Sequence, residues 1–494
     1  MSLPTWAKSE EEVKGEKVLK GAAITISSGA ARFLGSFVTA LILGRILTPD
    51  DFGLVAMVAP ILAFVMAFSD SGIASYTLQV KKVTEHELNH TFWLAALSAV
   101  LFFLIFLVLN PLITTFYNED RLTAVTFVMS IVLLLSIFTS QHNALVKRCF
   151  RQDIYAIAEI VGALSGLVVS VTLALLDFGY WALVSIPIAR QTTHAITIWI
   201  MTGWVPSFIK LDWEKSKVII SFGTFMIISQ VVGVFGKNID KVLIGWKYGT
   251  VEAGHYNMAY SIMMLPFLQI LTPAAGAVVP YYSRLYHDTN RLDSALYSVT
   301  FAVGAIIIPF MVWASLVSEH LLIFVLGDKW AASSHIFSFL AIASVFMAFG
   351  TSLSWSLIAI GRPKTSAHWS ILITIFTVAA CFVGLQWEGE GVAASLMSLS
   401  FISFLVFSII FRKMVGFSAL TVLYLILRLL ICGIIPASII CVLLHSGLIP
   451  HEWHFTHIAV NLVLMLLIFY SLLYLMFKQR VGVMVSAIRS RISR

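Results

Sequence analysis

Charged and amide side chains lie inside long apolar segments of this sequence, where they could bind an ionic group. Ionisable residues within a bilayer are costly, so they normally face the interior of a helix bundle or a water-filled cavity. A guanidinium group offers a fork of donors that suits phosphate and carboxylate oxygens. The side chains that we predict to bind an anionic substrate group, such as a pyrophosphate or a uronate, are Arg32, Arg190, Gln191, His194, Lys237, Asn238 and Lys241.

Carboxylates in the same apolar segments are candidates for binding a coupling proton or sodium ion. They are Asp70, Glu159 and Asp240. A structural role is the alternative for both arginines, each of which could pair with Asp70 or Glu159. For both lysines the alternative is that the long side chain reaches the membrane interface. Arg428 lies in a segment near the end of the chain, and we interpret it as structural.

Three prolines in one apolar segment are candidates for gating. They are Pro266, Pro273 and Pro280, and they recur every seven residues. Proline frees backbone carbonyls and bends a helix, so this segment is predicted to be kinked. A bent helix suits a gate that moves between two states, and a static kink is the alternative.

Enzyme and cofactor chemistry is not indicated. The four cysteines lack metal-type spacing, and no glycine-rich phosphate loop with its lysine is present. His445, His451, His454 and His457 share one loop, which we interpret as interfacial and not as a metal site. The longest predicted outer loop, 318–331, has no room for a nucleotide-binding domain. We therefore predict no enzyme activity, no metal and no cofactor except a coupling proton or sodium ion.

The elements that carry these residues are predicted to be membrane-spanning helices. The sequence has 494 residues, 59% of them hydrophobic and 12% charged, whereas soluble domains have about a quarter charged. Its apolar segments have the length of about 20 residues that spans a bilayer as a helix. We predict an all-α polytopic protein with fourteen spans at 21–43, 53–77, 91–112, 121–145, 154–177, 180–201, 217–246, 254–282, 293–317, 332–359, 366–386, 389–411, 420–444 and 456–477.

The cations predict the orientation of these spans. Of the 32 lysines and arginines, 23 fall on the side of the two termini, four on the opposite side and five within spans. Such an excess marks the cytoplasmic face, so both termini are predicted to be cytoplasmic. The net charge of +7 is distributed over loops, which argues against a nucleic-acid partner.

An internal repeat predicts two lobes. Gly44 matches Gly245, Gly53 matches Gly254 and Met57 matches Met258 at a single offset of 201 residues. Six spans separate the copies, so the two halves are parallel and enclose a substrate path between them. The predicted division is a cytoplasmic segment 1–20, an N-lobe 21–202, a cytoplasmic linker 203–216, a C-lobe 217–412, two extra helices 413–477 and a basic cytoplasmic tail 478–494.

Several ordered motifs resemble a known family. They are Gly44-Arg45-Ile46-Leu47, Phe52-Gly53-Leu54, Asp70-Ser71-Gly72-Ile73-Ala74, Gln79-Val80-Lys81-Lys82, Asn238-Ile239-Asp240, Ile244-Gly245, Gly254-His255-Tyr256-Asn257-Met258-Ala259-Tyr260 and Gly327-Asp328-Lys329-Trp330. Together, over residues 20–415, they resemble Wzx-type polysaccharide flippases, and within that group the colanic-acid exporter branch. The motifs at outer turns look architectural, so no catalytic role is transferred to them.

The resemblance implies the multidrug/oligosaccharidyl-lipid/polysaccharide exporter fold of two six-helix lobes plus two helices. It also implies that the protein flips an undecaprenyl-pyrophosphate-linked exopolysaccharide repeat unit across the bacterial inner membrane. An ion gradient would drive the transport, as in an antiporter, and a polymerase and a chain-length co-polymerase of the export pathway are implied partners. Efflux of small molecules on the same fold is an alternative function, and polymerisation of surface glycans is another.

Overall fold

The chain is all-helical throughout the part that the structure describes. The computed structural model describes residues 15–70, 73–80, 84–415, 419–445 and 455–478. Its helices are α1 (Gly15–Ile46), α2 (Pro49–Asp70), α3 (Ile73–Gln79), α4 (Glu85–Tyr117), α5 (Leu122–Arg148), α6 (Gln152–Leu175), α7 (Trp181–Thr202), α8 (213–248), α9 (250–285), α10 (Thr289–Leu316), α11 (Ser318–Leu326), α12 (Ala332–Ala359), α13 (Pro363–Gly384), α14 (Glu388–Val415), α15 (Ala419–His445) and α16 (Phe455–Met476).

Fourteen of these helices are long enough to cross a bilayer, which confirms the predicted fold class. Only α3 and α11, with 7 and 9 residues, are short. By length and composition, ten described segments are candidate membrane spans. Two of those segments, Gly233–Leu285 and Lys364–Ile410, each contain two helices. The remaining two long helices are α1, whose apolar described part is Phe33–Ile46, and α7, which carries the polar run from Arg190 to His194.

One break within a long helical run falls at a glycine. The run Trp213–Leu285 leaves helical dihedral angles at Gly249, where φ is 81°, so α8 and α9 are separate helices. Glycine populates this region without steric cost. Within the predicted span 53–77, the structure describes α2 as far as Asp70 and α3 from Ile73 onward.

The chain forms two compact units. Unit one contains Met1–Met258 with Ser370–Gly389, and unit two contains Ala259–Trp369 with Glu390–Arg494. In unit one, α6 packs closely on α7 because Gly162 has no side chain: a β-carbon there would lie 2.9 Å from the carbonyl oxygen of Arg190. Small residues permit such close helix pairs in membranes. In unit two, α15 packs on α10 in the same way, since a β-carbon at Gly433 would lie 2.5 Å from Ile308.

The predicted linker 203–216 consists of a segment without regular secondary structure, 203–212, followed by the start of α8. Residues 203–212, which we call the strap, lie on α4 and α5. Asn89 accepts a hydrogen bond from the backbone nitrogen of Ser207 at 2.9 Å, and Trp93 donates one to its carbonyl oxygen at 2.9 Å. Trp204 is 1% exposed and packs against Phe92. These contacts fix the strap to the helices of unit one.

Candidate functional site

The first group of predicted site residues lies between α6 and α7. Arg190 Nη2 donates a hydrogen bond to Glu159 Oε2 at 2.7 Å, and the two side chains are 44% and 10% exposed. Structural pairing with Glu159, which the sequence analysis gave as an alternative role for Arg190, is therefore present. Arg190 makes one hydrogen bond among the described residues, through Nη2, so its Nε and Nη1 donors are uncommitted.

His194 and Gln191 extend this group toward α5. His194 Nε2 lies 3.1 Å from Asn143 Oδ1, and its Nδ1 lies 3.6 Å from Glu159 Oε1. Gln191 donates a hydrogen bond to the hydroxyl of Thr139 at 2.7 Å. The structure therefore brings together three of the predicted anion-binding residues and one predicted ion-coupling residue.

Glu159 lies on the face of α6 that is opposite to its exposed apolar stripe. That stripe is formed by Ile157, Val161, Leu164 and Val168, which recur at helical spacing and are 37–61% exposed. At about 100° per residue, Glu159 is roughly 200° around the helix from Ile157. Since exposed apolar stripes of membrane helices face lipid, the Glu159–Arg190 pair lies away from the lipid-facing side of α6.

The second group lies where α8 meets the start of α9. Asp240 is 4% exposed, accepts a hydrogen bond from the hydroxyl of Tyr256 at 2.7 Å, and accepts another from the backbone nitrogen of Lys241 at 2.9 Å. Lys241 Nζ lies 3.4 Å from Asn238 Oδ1. Lys237 is exposed and makes no hydrogen bond or ion pair with the residues that the structure describes.

The remaining predicted residues are placed only in part. Arg32 belongs to α1 and Asp70 ends α2, but the side chains of both lie outside the described part of the chain. Pro266, Pro273 and Pro280 lie inside α9, and the one non-helical residue in the run Trp213–Leu285 is Gly249. The helix run is thus interrupted before the prolines, at the turn between α8 and α9.

The two copies of the sequence repeat contact each other through equivalent residues. A β-carbon at Gly53 would overlap the carbonyl oxygen of Thr250, and a β-carbon at Gly254 would overlap that of Pro49. We call these four residues the repeat junction. The offset of 201 relates Pro49 to Thr250 and Gly53 to Gly254, so the contact of Gly53 with Thr250 is equivalent to the contact of Gly254 with Pro49. The first turns of α2 and α9 are therefore related by a local two-fold axis. Only glycine fits at either position.

Acidic residues extend the same correspondence to the neighbouring turns. Asp51 lies beside the turn between α6 and α7, where a β-carbon at Gly179 would be 3.1 Å from its Oδ1 atom. Glu252, its equivalent in the second copy, accepts a hydrogen bond from the backbone nitrogen of Gly389 at 2.9 Å, at the start of α14. In each copy, one carboxylate of the junction helix thus lies at a turn that joins two later helices.

An ion-pair network covers the repeat junction. Arg121 donates hydrogen bonds to Asp50 at 2.6 and 3.2 Å and pairs with Glu119 at 2.8 Å. The hydroxyl of Thr250 donates a hydrogen bond to Asp50, so the network joins both copies of the repeat. The Arg121 guanidinium lowers the pKa of Glu119, and the two carboxylates raise the pKa of Arg121.

Sequence reasoning missed several partners of the predicted residues. Asn143 and Thr139 carry no sequence signal, because neutral polar residues are common in membrane helices. Tyr256 could have been found, since it lies between the matched residues Gly254 and Met258. The described residues contain no group of three or more metal-ligating side chains. The chemistry available at both groups is binding of an anion by cations and binding of a proton or sodium ion by a carboxylate.

Comparison with protein families identifies the family of this chain. Residues 42–335, more than half of the chain, match the model of a family described as polysaccharide biosynthesis protein.

Similar sequences and structures agree with that match. The teichuronic acid biosynthesis protein TuaB of Bacillus subtilis is 24% identical over 75% of this chain and 77% of its own length. The succinoglycan biosynthesis transport protein ExoT of Rhizobium meliloti is 23% identical over 75% of each chain, and the lipopolysaccharide biosynthesis protein WzxC of Escherichia coli is 23% identical over 76% of each. The lipid II flippase MurJ, in an inward closed conformation, has a TM-score of 0.76 at 12% identity and covers 93% of this chain and 99% of its own. This likeness confirms the fold.

Proposed function

Because this chain belongs to the polysaccharide biosynthesis protein family, we propose that it is a flippase that exports a lipid-linked exopolysaccharide repeat unit. The substrate is an undecaprenyl-pyrophosphate-linked oligosaccharide, and the membrane is the bacterial inner membrane. The observation that carries the proposal is the partly exposed Arg190, held by Glu159 inside a bundle of membrane helices. Relatives that are named for polysaccharide transport support it. The protein moves its substrate and makes no covalent change to it.

Arg190 is suited to bind the pyrophosphate. Glu159 accepts a hydrogen bond from one of the two Nη2 hydrogens and thereby fixes the direction of the Arg190 side chain. The second Nη2 hydrogen and its neighbour on the same edge of the guanidinium group remain available, and such a pair of adjacent donors can bind a phosphate in a bidentate way. Gln191 and His194 lie on the same helix and add polar contacts. Arg32 of α1 is the second arginine that we assign to the head group.

The second group of residues supplies further cationic contacts and the coupling ion. Lys237 is uncommitted, and Asn238 and Lys241 are its neighbours on α8. Asp240 is a buried carboxylate that accepts hydrogen bonds from Tyr256 and from the backbone of Lys241. Binding of a proton or a sodium ion by this carboxylate changes the local charge. Glu159 and Asp70 are the other carboxylates that we assign to ion coupling.

Transport proceeds by alternating access of two six-helix lobes, 21–202 and 217–412. Pro266, Pro273 and Pro280 make α9 the helix that we assign to gating. Residues 413–477 form two additional helices. Both termini, including the basic tail 478–494, lie in the cytoplasm because cations are concentrated on their side. A polymerase and a chain-length co-polymerase use the exported unit and are its proposed partners.

The test is the sidedness of lipid-linked repeat units in a strain that lacks the gene. Complete repeat units are expected to accumulate on the cytoplasmic face and to be cleared by the wild-type gene. Arg32→Ala and Arg190→Ala are expected to fail to clear them at normal protein levels. Arg151→Ala is the matched control, because Arg151 has a similar exposure of 39% but pairs with Asp153 at the end of the bundle.

Other outcomes would contradict the proposal. Single repeat units on the outer face would indicate a polymerase. An unchanged lipid-linked pool together with new sensitivity to cationic dyes would indicate small-molecule efflux. Full export by both arginine variants would remove these residues from the transport path.

A further inference from the structure

Arg428 of α15 is held by aromatic rings and has no anionic partner among the described residues. Its Cζ atom lies 4.5 Å from the ring centroid of Tyr424 and 5.8 Å from that of Phe477. It makes no hydrogen bond or ion pair with any residue in the described ranges of the chain. A guanidinium group that stacks on a ring keeps its in-plane donors free. The side chain is therefore oriented but unneutralised.

The sequence around Arg428 offers no carboxylate. Between residues 391 and 494, the one acidic side chain is Glu452, while the same region has eight lysines and arginines. Glu452 is separated from Arg428 along the sequence by the remainder of α15. Asp293 of α10, the helix on which α15 packs, forms no ion pair with Arg428. Among the residues that the structure describes, no carboxylate therefore neutralises Arg428.

The site is built by the contact between α15 and α16. Cys432 donates to the sulfur of Met476 at 3.4 Å, one helical turn from Arg428. Phe477 is 5% exposed and is fixed by an edge-on contact with Phe301 of α10, with ring centroids 5.2 Å apart. Lys478 follows directly and is exposed. Two cations thus lie at the end of the bundle where α15 begins and α16 ends.

The site opens toward lipid. Tyr424, Leu427 and Ile431 recur at helical spacing on α15 and are 57%, 50% and 45% exposed. Arg428 lies at the edge of this apolar stripe, next to the end of α16. An arginine near a helix end reaches the headgroup region, where lipid phosphates are the available anions.

We propose that Arg428, clamped by Tyr424 and Phe477, is a binding site for the phosphate group of a membrane lipid. The guanidinium group binds the phosphate oxygens through its free donors, and Lys478 adds a second positive charge. The lipid chains lie along the exposed stripe of α15. The site is separate from the residues assigned to the transported head group, so the test of this proposal does not depend on the proposed function.

Lipid binding to the purified full-length protein tests the proposal. Native mass spectrometry can count phosphatidylglycerol, undecaprenyl phosphate or diacylglycerol bound to each variant. The wild type is expected to bind at least one of the phosphate lipids about tenfold more tightly than diacylglycerol, and Arg428→Leu is expected to lose that difference. Lys210→Gln is the control, because Lys210 is an exposed cation outside the site. The preferred phosphate lipid identifies the source of the phosphate.

Two further variants keep the test decisive if Arg428→Leu does not fold. Tyr424→Leu retains the charge but removes the clamp, and Arg428→Lys retains the charge but loses the flat donor fork. Both are expected to bind the phosphate lipid several-fold more weakly than the wild type. Unchanged binding in all three variants would overturn the proposal. Displacement of the lipid by inorganic phosphate at equal concentration would also overturn it, because the ligand would then be a free phosphate.

Discussion

Gly53 lies directly against the carbonyl oxygen of Thr250, with no space for a β-carbon between the two backbones. The equivalent pair, Gly254 and Pro49, repeats the contact on the other side of a local two-fold axis. The repeat along the sequence is therefore also a contact in space. The first turns of α2 and α9 are held together by backbone surfaces that only glycine exposes.

Alanine at the repeat junction is expected to separate α2 from α9. Gly53→Ala and Gly254→Ala each place a methyl group on a backbone oxygen that has no freedom to rotate away. We expect each to lower the free energy of unfolding by about 1–3 kcal/mol. The double variant should lose less free energy of unfolding than the sum of the two single losses, because the first methyl group already opens the shared contact. Thermal unfolding in detergent measures this.

Gly276→Ala is the matched control for the junction. Gly276 lies in α9, and a β-carbon added there would have no neighbouring atom within 4 Å, so alanine has room. Its effect should be neutral or slightly stabilising, since alanine favours helix by up to about 1 kcal/mol. Equal melting temperatures for Gly53→Ala and Gly276→Ala would contradict the close contact.

The ion pair between Glu119 and Arg121 is expected to contribute stability only above acidic pH. Arg121 lowers the pKa of Glu119 below its ordinary value of 4.5. A lowered carboxylate pKa stabilises the folded state above the ordinary value, and this contribution disappears as the pH falls through the folded-state pKa. Since the side chains are 22% and 40% exposed, the contribution is at most about 1 kcal/mol.

Melting curves of the wild type and Glu119→Gln between pH 7 and pH 3 test this pair. The two proteins should differ at pH 7 and converge at pH 3. Glu214→Gln is the control, because Glu214 is 81% exposed and should show no difference at either pH. A difference between wild type and Glu119→Gln that grows toward pH 3 would reverse the expected sign.

The hydroxyl of Tyr256 is expected to stabilise the buried carboxylate of Asp240. Tyr256→Phe removes one of the two hydrogen bonds that are described for this carboxylate. A buried polar group that loses a hydrogen-bond partner lowers the free energy of unfolding by about 1–3 kcal/mol. Tyr282→Phe is a close control, because Tyr282 is also fully buried but its hydroxyl has no partner among the described residues. The two variants should therefore differ in melting temperature, and equal values would show that the hydrogen bond contributes nothing.

Arg190 has a structural role and a proposed transport role, which a double variant separates. Arg190→Ala leaves the poorly exposed Glu159 without its guanidinium partner and is expected to lower the melting temperature. Glu159→Gln in the same protein removes the charge and should restore much of the stability. Export should remain lost in the double variant, because the arginine that binds the anionic head group is still absent. Restored export together with restored stability would leave Arg190 only its structural role.

The strap is expected to be protected from proteases by its contacts with α4. Asn89→Ala removes the acceptor for the backbone nitrogen of Ser207. Limited trypsin digestion should then cut faster after Lys210, which lies in the strap and is exposed. Cleavage after Lys364, an exposed residue at the start of α13, is the internal reference and should be unchanged. Equal rates at Lys210 in both proteins would show that the strap is held by other contacts.

The sequence by itself determined the all-helical class, the fourteen long helices and the sequence repeat. The helical class and the helix count follow from segment length and apolar composition, which are local properties over about 20 residues. The repeat follows from matching residues at a fixed offset of 201. It also named the ionisable residues within apolar segments, because any such residue is costly wherever it lies.

Only the tertiary structure decided which of these residues meet. The pairing of Arg190 with Glu159 depends on Gly162 and Ser165 bringing α6 and α7 together, and the partner of Asp240 depends on the break at Gly249. The contact of Gly53 with Thr250 joins residues about 200 positions apart. Such pairings depend on which helix faces are packed together, and apolar composition is nearly the same on every face of a membrane helix. The physical reason is that lipid and protein interior are similarly apolar, so the sequence of a span does not show which side faces its neighbour.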